Sequence, residues 1–166
     1  MATVKQLLQP EEAQYQSATF PQFIKEGTNF PVSSLAFDAA TKESAFWKLK
    51  AINYGSGNLT LVIRWAGDSA TSGDVIWGSQ IACVTPDTDT QDVTTKTLAT
   101  AQTVTDTHLG TIAKRVMTCT IIITSLDSIT ANDDLFITIY RDAAAGGDTM
   151  TGDAKLIEAE LSYSDT

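Results

Sequence analysis

The sequence predicts an all-β fold: a jelly-roll-like antiparallel β-sandwich of about eight strands, preceded by an extended N-terminal arm. Three observations predict it. From Ser34 onward, apolar and polar residues alternate in short runs, the period of a strand with one buried face. Clusters such as NYGSGN, GDSATSGD and DSITAND separate the runs, and glycine, asparagine and aspartate are turn formers. No helical period and no alternation of strands with helices occurs, which excludes a parallel α/β architecture. Many short strands at this spacing make a sandwich or barrel, and about eight favour a jelly roll.

Residues 1–33 read as the arm. They hold Pro10, Pro21 and Pro31, each of which fixes its own φ and biases the preceding residue towards extended backbone. Val4 to Leu8 is compatible with one turn of helix. The arm carries Phe20, Phe23 and Phe30, so it must pack on its own domain or on a neighbour. Residues 34–166 read as the sandwich domain. SSLAFDA places Leu35 and Phe37 on one face. SAFWKLKAI places Ala45, Trp47 and Leu49 inward, with Phe46 and Lys48 outward. NLTLVIRWA turns Leu59, Leu61, Ile63 and Trp65 inward, and DVIWGSQIACV does so for Val75, Trp77, Ile81 and Cys83. Residues 93–107 are threonine-rich and read as a weak edge strand plus loop. RVMTCTIIITSL directs Met117, Cys119, Ile121 and Ile123 inward. DLFITIYRDA does so for Leu135, Ile137 and Ile139, with Phe136 and Tyr140 out of phase. AKLIEAELSYS closes the domain with Ile157, Ala159, Leu161 and Tyr163 in phase.

The chain has 166 residues and a formal net charge of −9, suited to one domain that buries about two-thirds of its unfolded surface. The acidity excludes nucleic acid as an expected partner, because phosphate neutralisation needs a basic stripe. It disfavours anionic membranes for the same reason. The N-terminus lacks the apolar segment of a signal peptide, and no run of about 18 apolar residues is present.

Little in the sequence supports catalysis, and no enzyme is expected. The single histidine, His108, builds neither a zinc site nor a triad without partners, and reads as an exposed loop residue. Glu158 and Glu160 fall on the polar phase of the last run, which suits a solvated face better than an acid–base pair. Cys83 and Cys119 read as free thiols, with a bridge between facing strands left open. No cofactor is implied, apart from calcium. Asp142, Asp148 and Asp153 in RDAAAGGDTMTGD are candidate calcium ligands, although aspartate with glycine is also ordinary turn chemistry. Trp47, Trp65 and Trp77 share the core phase. The candidate binding or interface residues are therefore Phe20, Phe23 and Phe30 of the arm, and Phe46, Phe136 and Tyr140 of the outer faces.

Several strings carry a family resemblance. They are LAFDAATKESAFWKLKAINYGSGNLTLVIRWAGDSATSGDVIWGSQIA, the run around TVTDTHLG, and IYRDAAAGGDTMTGDAKLIEAELSY. They resemble small structural proteins of tailed bacteriophages and prophages over roughly residues 34–163. The matching residues include Phe37, Asp38, Glu43, Trp47, Gly73, Trp77, Arg141, Asp148, Met150 and Asp153. The resemblance implies a jelly-roll virion protein made in the host cytoplasm. Its role would be that of a capsid decoration protein or of a tail or fibre component; the leading expectation is capsid decoration by a homo-oligomer (a trimer is expected) that stabilises the shell against the major capsid protein or other virion proteins. The alternative is a carbohydrate-binding module, or a tail-borne glycan-binding domain.

Overall fold

The computed structural model describes residues 2–166. It contains ten strands: β1 (Thr3–Leu8), β2 (Gln22–Glu26), β3 (Val32–Phe37), β4 (Glu43–Lys50), β5 (Tyr54–Gly67), β6 (Asp74–Val84), β7 (Gln102–Thr107), β8 (Met117–Ile123), β9 (Asp134–Arg141) and β10 (Ala154–Asp165). One 3-10 turn, Pro10–Glu12, lies between β1 and β2. All strand pairs are antiparallel and form two sheets. The six-stranded sheet has the order β2-β3-β10-β5-β8, with β1 also paired to β10. The four-stranded sheet has the order β4-β9-β6-β7.

The predicted inward phases hold for most of the sandwich. Leu35, Phe37, Leu61, Ile63, Val75, Ile81, Ile121, Leu135, Ile137 and Leu161 are buried together with all three tryptophans. Each sheet thus hides one face against the other, the packing that the period of two dictates. Trp47 donates its indole N–H to the Gln9 carbonyl at 2.9 Å, and Trp65 donates to Asp106 Oδ2 at 2.7 Å. These bonds satisfy indole groups that burial would otherwise strand.

Three sequence expectations are corrected. First, residues 1–33 are not an arm outside the sandwich, because they supply β1 and β2. β3 covers only Ala154–Leu156 of β10, whereas β1 pairs with the rest of that edge, Ala159–Ser164. An open strand edge offers unpaired backbone groups, and β1 satisfies them as a strand rather than as a turn of helix. Residues 14–19 then bridge to β4, where Gln14 and Phe46 exchange backbone hydrogen bonds at 2.8 and 3.0 Å. Second, Leu156 rather than Ile157 faces the core, because the register of β10 against β5 shifts between Leu156 and Glu158. A bulge inserts one residue and reverses the phase. Third, His108 is buried at 5% exposure. Its Nε2 lies 2.9 Å from the Ala113 carbonyl, and its Nδ1 accepts the Gly110 N–H at 2.9 Å. Together these partners specify the tautomer that carries the proton on Nε2. His108 thus braces the single loop between β7 and β8, residues 108–116, from within.

Cys83 and Cys119 are free and buried. Burial pushes both thiols up to about 12, so neither has the thiolate character of a nucleophile.

Candidate functional site

A groove of about 500 Å³ runs across the outer face of the six-stranded sheet, within the usual size range for small-molecule sites. Its floor is Val32 of β3, Lys155 and Ile157 of β10, and Ala66 of β5. The β2–β3 hairpin, with Gly27, Thr28 and Phe30, forms one wall. Lys114 and Val116, leading into β8, form the other. Phe30 is 70% exposed, the most solvent-facing of the large apolar side chains.

Charged groups converge on this groove. Lys155 Nζ lies 2.8 Å from Glu26 Oε1 and 2.6 Å from Asp68 Oδ1, and Glu26 Oε2 also accepts from Lys114. Lys155 is buried because its cross-strand neighbours, Ala36 and Ala66, are small enough for its stem to lie along the sheet. Burial by itself pulls the Lys155 pKa down, but the hydrogen bonds to Asp68 and Glu26 outweigh it and leave a net rise. Lys114 and then Lys155 hold the Glu26 carboxyl below its ordinary value. The result is an alternating series of cations and anions beside one exposed ring. Ammonium groups donate to hydroxyls, carboxylates accept from them, and the ring offers an apolar face. A lowered carboxyl is a poor general acid at neutral pH.

The other predicted aromatics are divided by the structure. Phe46 and Phe136 line a cleft of about 310 Å³ on the outer face of the four-stranded sheet, under Val93, Lys96 and Leu98. Tyr140 belongs to the same face but is only 3% exposed, which corrects its assignment as a surface group. Gly78 lies opposite Tyr140 in the register, so the ring falls across a position with no side chain. A Cβ there would sit 2.1 Å from Tyr140 Cζ, and Lys42 Nζ stands 4.0 Å over the ring. Phe20 and Phe23 are 44% and 48% exposed, near Tyr15 at the edge of the molecule.

The aspartates considered for calcium are not brought together as a ligand set. Both Asp148 oxygens engage the Arg141 guanidinium, at 2.7 and 3.0 Å, and one also accepts the Ile76 N–H at 3.0 Å. Asp142 pairs with Lys42 at 3.4 Å. Among the described residues, no cluster of three or more histidine, cysteine, aspartate or glutamate side chains is arranged to hold a metal ion. Asp153 instead shares an acidic corner with Asp38 and Glu43. Burial raises the Glu43 and Asp153 pKa values, with neighbouring carboxylates adding to the rise. Stability linked to such raised groups is complete below the ordinary carboxylate pKa and is lost as pH rises through the shifted one. Glu43→Gln and Asp153→Asn are therefore expected to raise Tm by a few degrees at pH 7, with the gain shrinking towards pH 4. Thermal melts across that range check this, and a gain that does not depend on pH would refute the repulsion.

The residues that matter most in the groove escaped the sequence reading. Glu26, Lys114 and Lys155 are far apart in the chain, and none belongs to a motif. The one available signal was Lys155, a lone cation in the otherwise apolar run 154–157.

No protein-family model matches the chain, and no curated protein matches it. Solved structures do share the fold. A family 35 carbohydrate-binding module, from Cellvibrio japonicus Abf62, aligns over 98% of this chain and 99% of its own, with 12% identity and a TM-score of 0.50. A family 6 module from the lichenase 5A of Cellvibrio mixtus, in complex with cellotriose, aligns over 96% and 97%, with 11% identity and a TM-score of 0.50. The all-β sandwich is thus the fold of known carbohydrate-binding modules. These findings overturn the resemblance to phage virion proteins and, with it, the capsid-decoration reading. The residues that carried the resemblance have structural duties instead. Phe37, Trp47, Trp77 and Met150 are core, and Asp38 Oδ1 accepts the Ala40 and Thr41 N–H groups at 2.7 Å. Arg141 and Asp148 form the buried pair. Gly73, at φ +106°, lies against the Met150 backbone, where a Cβ would come within 2.6 Å of its Cα.

Proposed function

We propose that this chain is a non-catalytic carbohydrate-binding domain whose ligand lies in the groove across the six-stranded sheet. The observation that carries the reading is the exposed Phe30 ring beside the linked Lys114, Glu26, Lys155 and Asp68 side chains. A pyranose presents an apolar C–H face and a rim of hydroxyls, and this groove offers a ring for the first and alternating donors and acceptors for the second. The fold likeness to carbohydrate-binding modules supports the reading.

The test is a glycan microarray followed by calorimetric titration of the best binder. Phe30→Ala is expected to weaken binding about tenfold, the loss of one stacked ring at roughly 1.4 kcal/mol. Phe46→Ala, on the opposite sheet, is expected to leave affinity unchanged. A protein that binds no glycan on the array, or one whose binding depends on Phe46 and not on Phe30, refutes the reading.

A further inference from the structure

The groove does not end at the hairpin. β10 changes its neighbour from β3, at Ala154–Leu156, to β1, at Ala159–Ser164. Ile157 and Glu158 lie between the two, with no strand partner on that side. A notch of about 320 Å³ opens there, and it shares Val32 and Ile157 with the groove. The notch is polar, with Gln9, Glu11, Lys25 and Ser33 around it. Beyond Glu11 lies a third depression of about 290 Å³, lined by Pro10, Tyr15 and Phe23. Phe23 is 48% exposed, and the Tyr15 ring lies 5.6 Å from that of Phe20. The three depressions thus run in sequence through shared residues: an aromatic station at Phe30, a polar notch, and an aromatic station at Phe23.

We propose that these depressions form one extended track that takes a linear, uncharged polysaccharide, rather than a single terminal sugar. The proposal rests on the carbohydrate-binding reading of the groove. A glycan chain repeats apolar ring faces and hydroxyl edges, and the track alternates in the same way. The charge balance selects the class of chain. Lys114 and Lys155 are matched by Glu26 and Asp68, and Glu158 is paired with Arg64 at 2.7 Å. In the notch Lys25 is set against Glu11, so among the described residues the track holds no surplus of cations for uronate or sulfate groups, and the net charge of −9 repels polyanions.

The experiment is calorimetric titration of the whole chain with neutral gluco-, xylo- and manno-oligosaccharides, each from disaccharide to hexasaccharide. Oligogalacturonates of the same lengths serve as the charged comparison. Affinity for the preferred neutral series is expected to rise about tenfold or more with length. Phe23→Ala should abolish the rise while leaving disaccharide affinity within about twofold, and Phe23→Trp should restore it. Phe30→Ala should lower affinity at every length. Both phenylalanines are solvent-facing, and circular dichroism verifies that the variants fold. Phe30-dependent binding that is flat with length, a rise insensitive to Phe23, or a preference for oligogalacturonates would overturn the track while leaving the carbohydrate-binding reading intact. Failure to bind any glycan would overturn both.

Discussion

Asp148→Asn is expected to destabilise the protein by about 3 to 5 kcal/mol, because it removes the counter-charge of a fully buried arginine. Arg141 lies at the end of β9 with its side chain at 0% exposure, and that of Asp148 is at 1%. The guanidinium also donates to the carbonyls of Gly152 at 2.8 Å and Met150 at 2.7 Å. It therefore joins β9 to the loop before β10, while Asp148 joins that loop to β6 through the Ile76 N–H. An asparagine keeps the shape and one acceptor but leaves the cation uncompensated in a poorly solvated site. For a chain of this length the loss corresponds to a fall in Tm of about 6 to 20 °C. Asp142→Asn breaks only the partly exposed pair with Lys42 and is expected to cost less than about 1 kcal/mol. Urea denaturation of the two variants makes the comparison. A loss at Asp148 no larger than that at Asp142 would show that the buried pair contributes little.

Removal of residues 1–33 is expected to abolish cooperative unfolding altogether. The deletion takes away β1 and β2, and with them the edge partners of β10 and β3. It also removes Leu8, which is fully buried in the core, and the Gln9 carbonyl that accepts the Trp47 indole N–H. Burial of a leucine contributes about 1.5 to 3 kcal/mol, and an unpartnered buried donor costs about 1 to 3 kcal/mol. Two lost strands add to both, against a total stability of only about 5 to 15 kcal/mol for a typical domain. Scanning calorimetry of the truncated chain is the measurement. A sharp transition near the full-length Tm would mean that residues 1–33 are an appendage after all.

The alternation of apolar residues from Ser34 to Tyr163 determined the all-β class, the eight strands of the main body and the inward placement of Trp47, Trp65 and Trp77. These are local properties: a residue's face follows from its neighbours two positions away. The tertiary structure alone decided where the first 33 residues go, because their place depends on the open edge of β10, more than a hundred residues later. It also decided which aromatics reach the surface. Tyr140 and Phe136 have the same phase, yet Gly78 opposite Tyr140 lets that ring lie flat under Lys42. The shift beside Ile157 reversed a face that periodicity had assigned. The candidate groove is the clearest case. Glu26 and Phe30 of one hairpin, Ala66, Lys114 and Lys155 come from four stretches of chain that only strand pairing makes neighbours. A site built across strands leaves no spacing signature along the sequence.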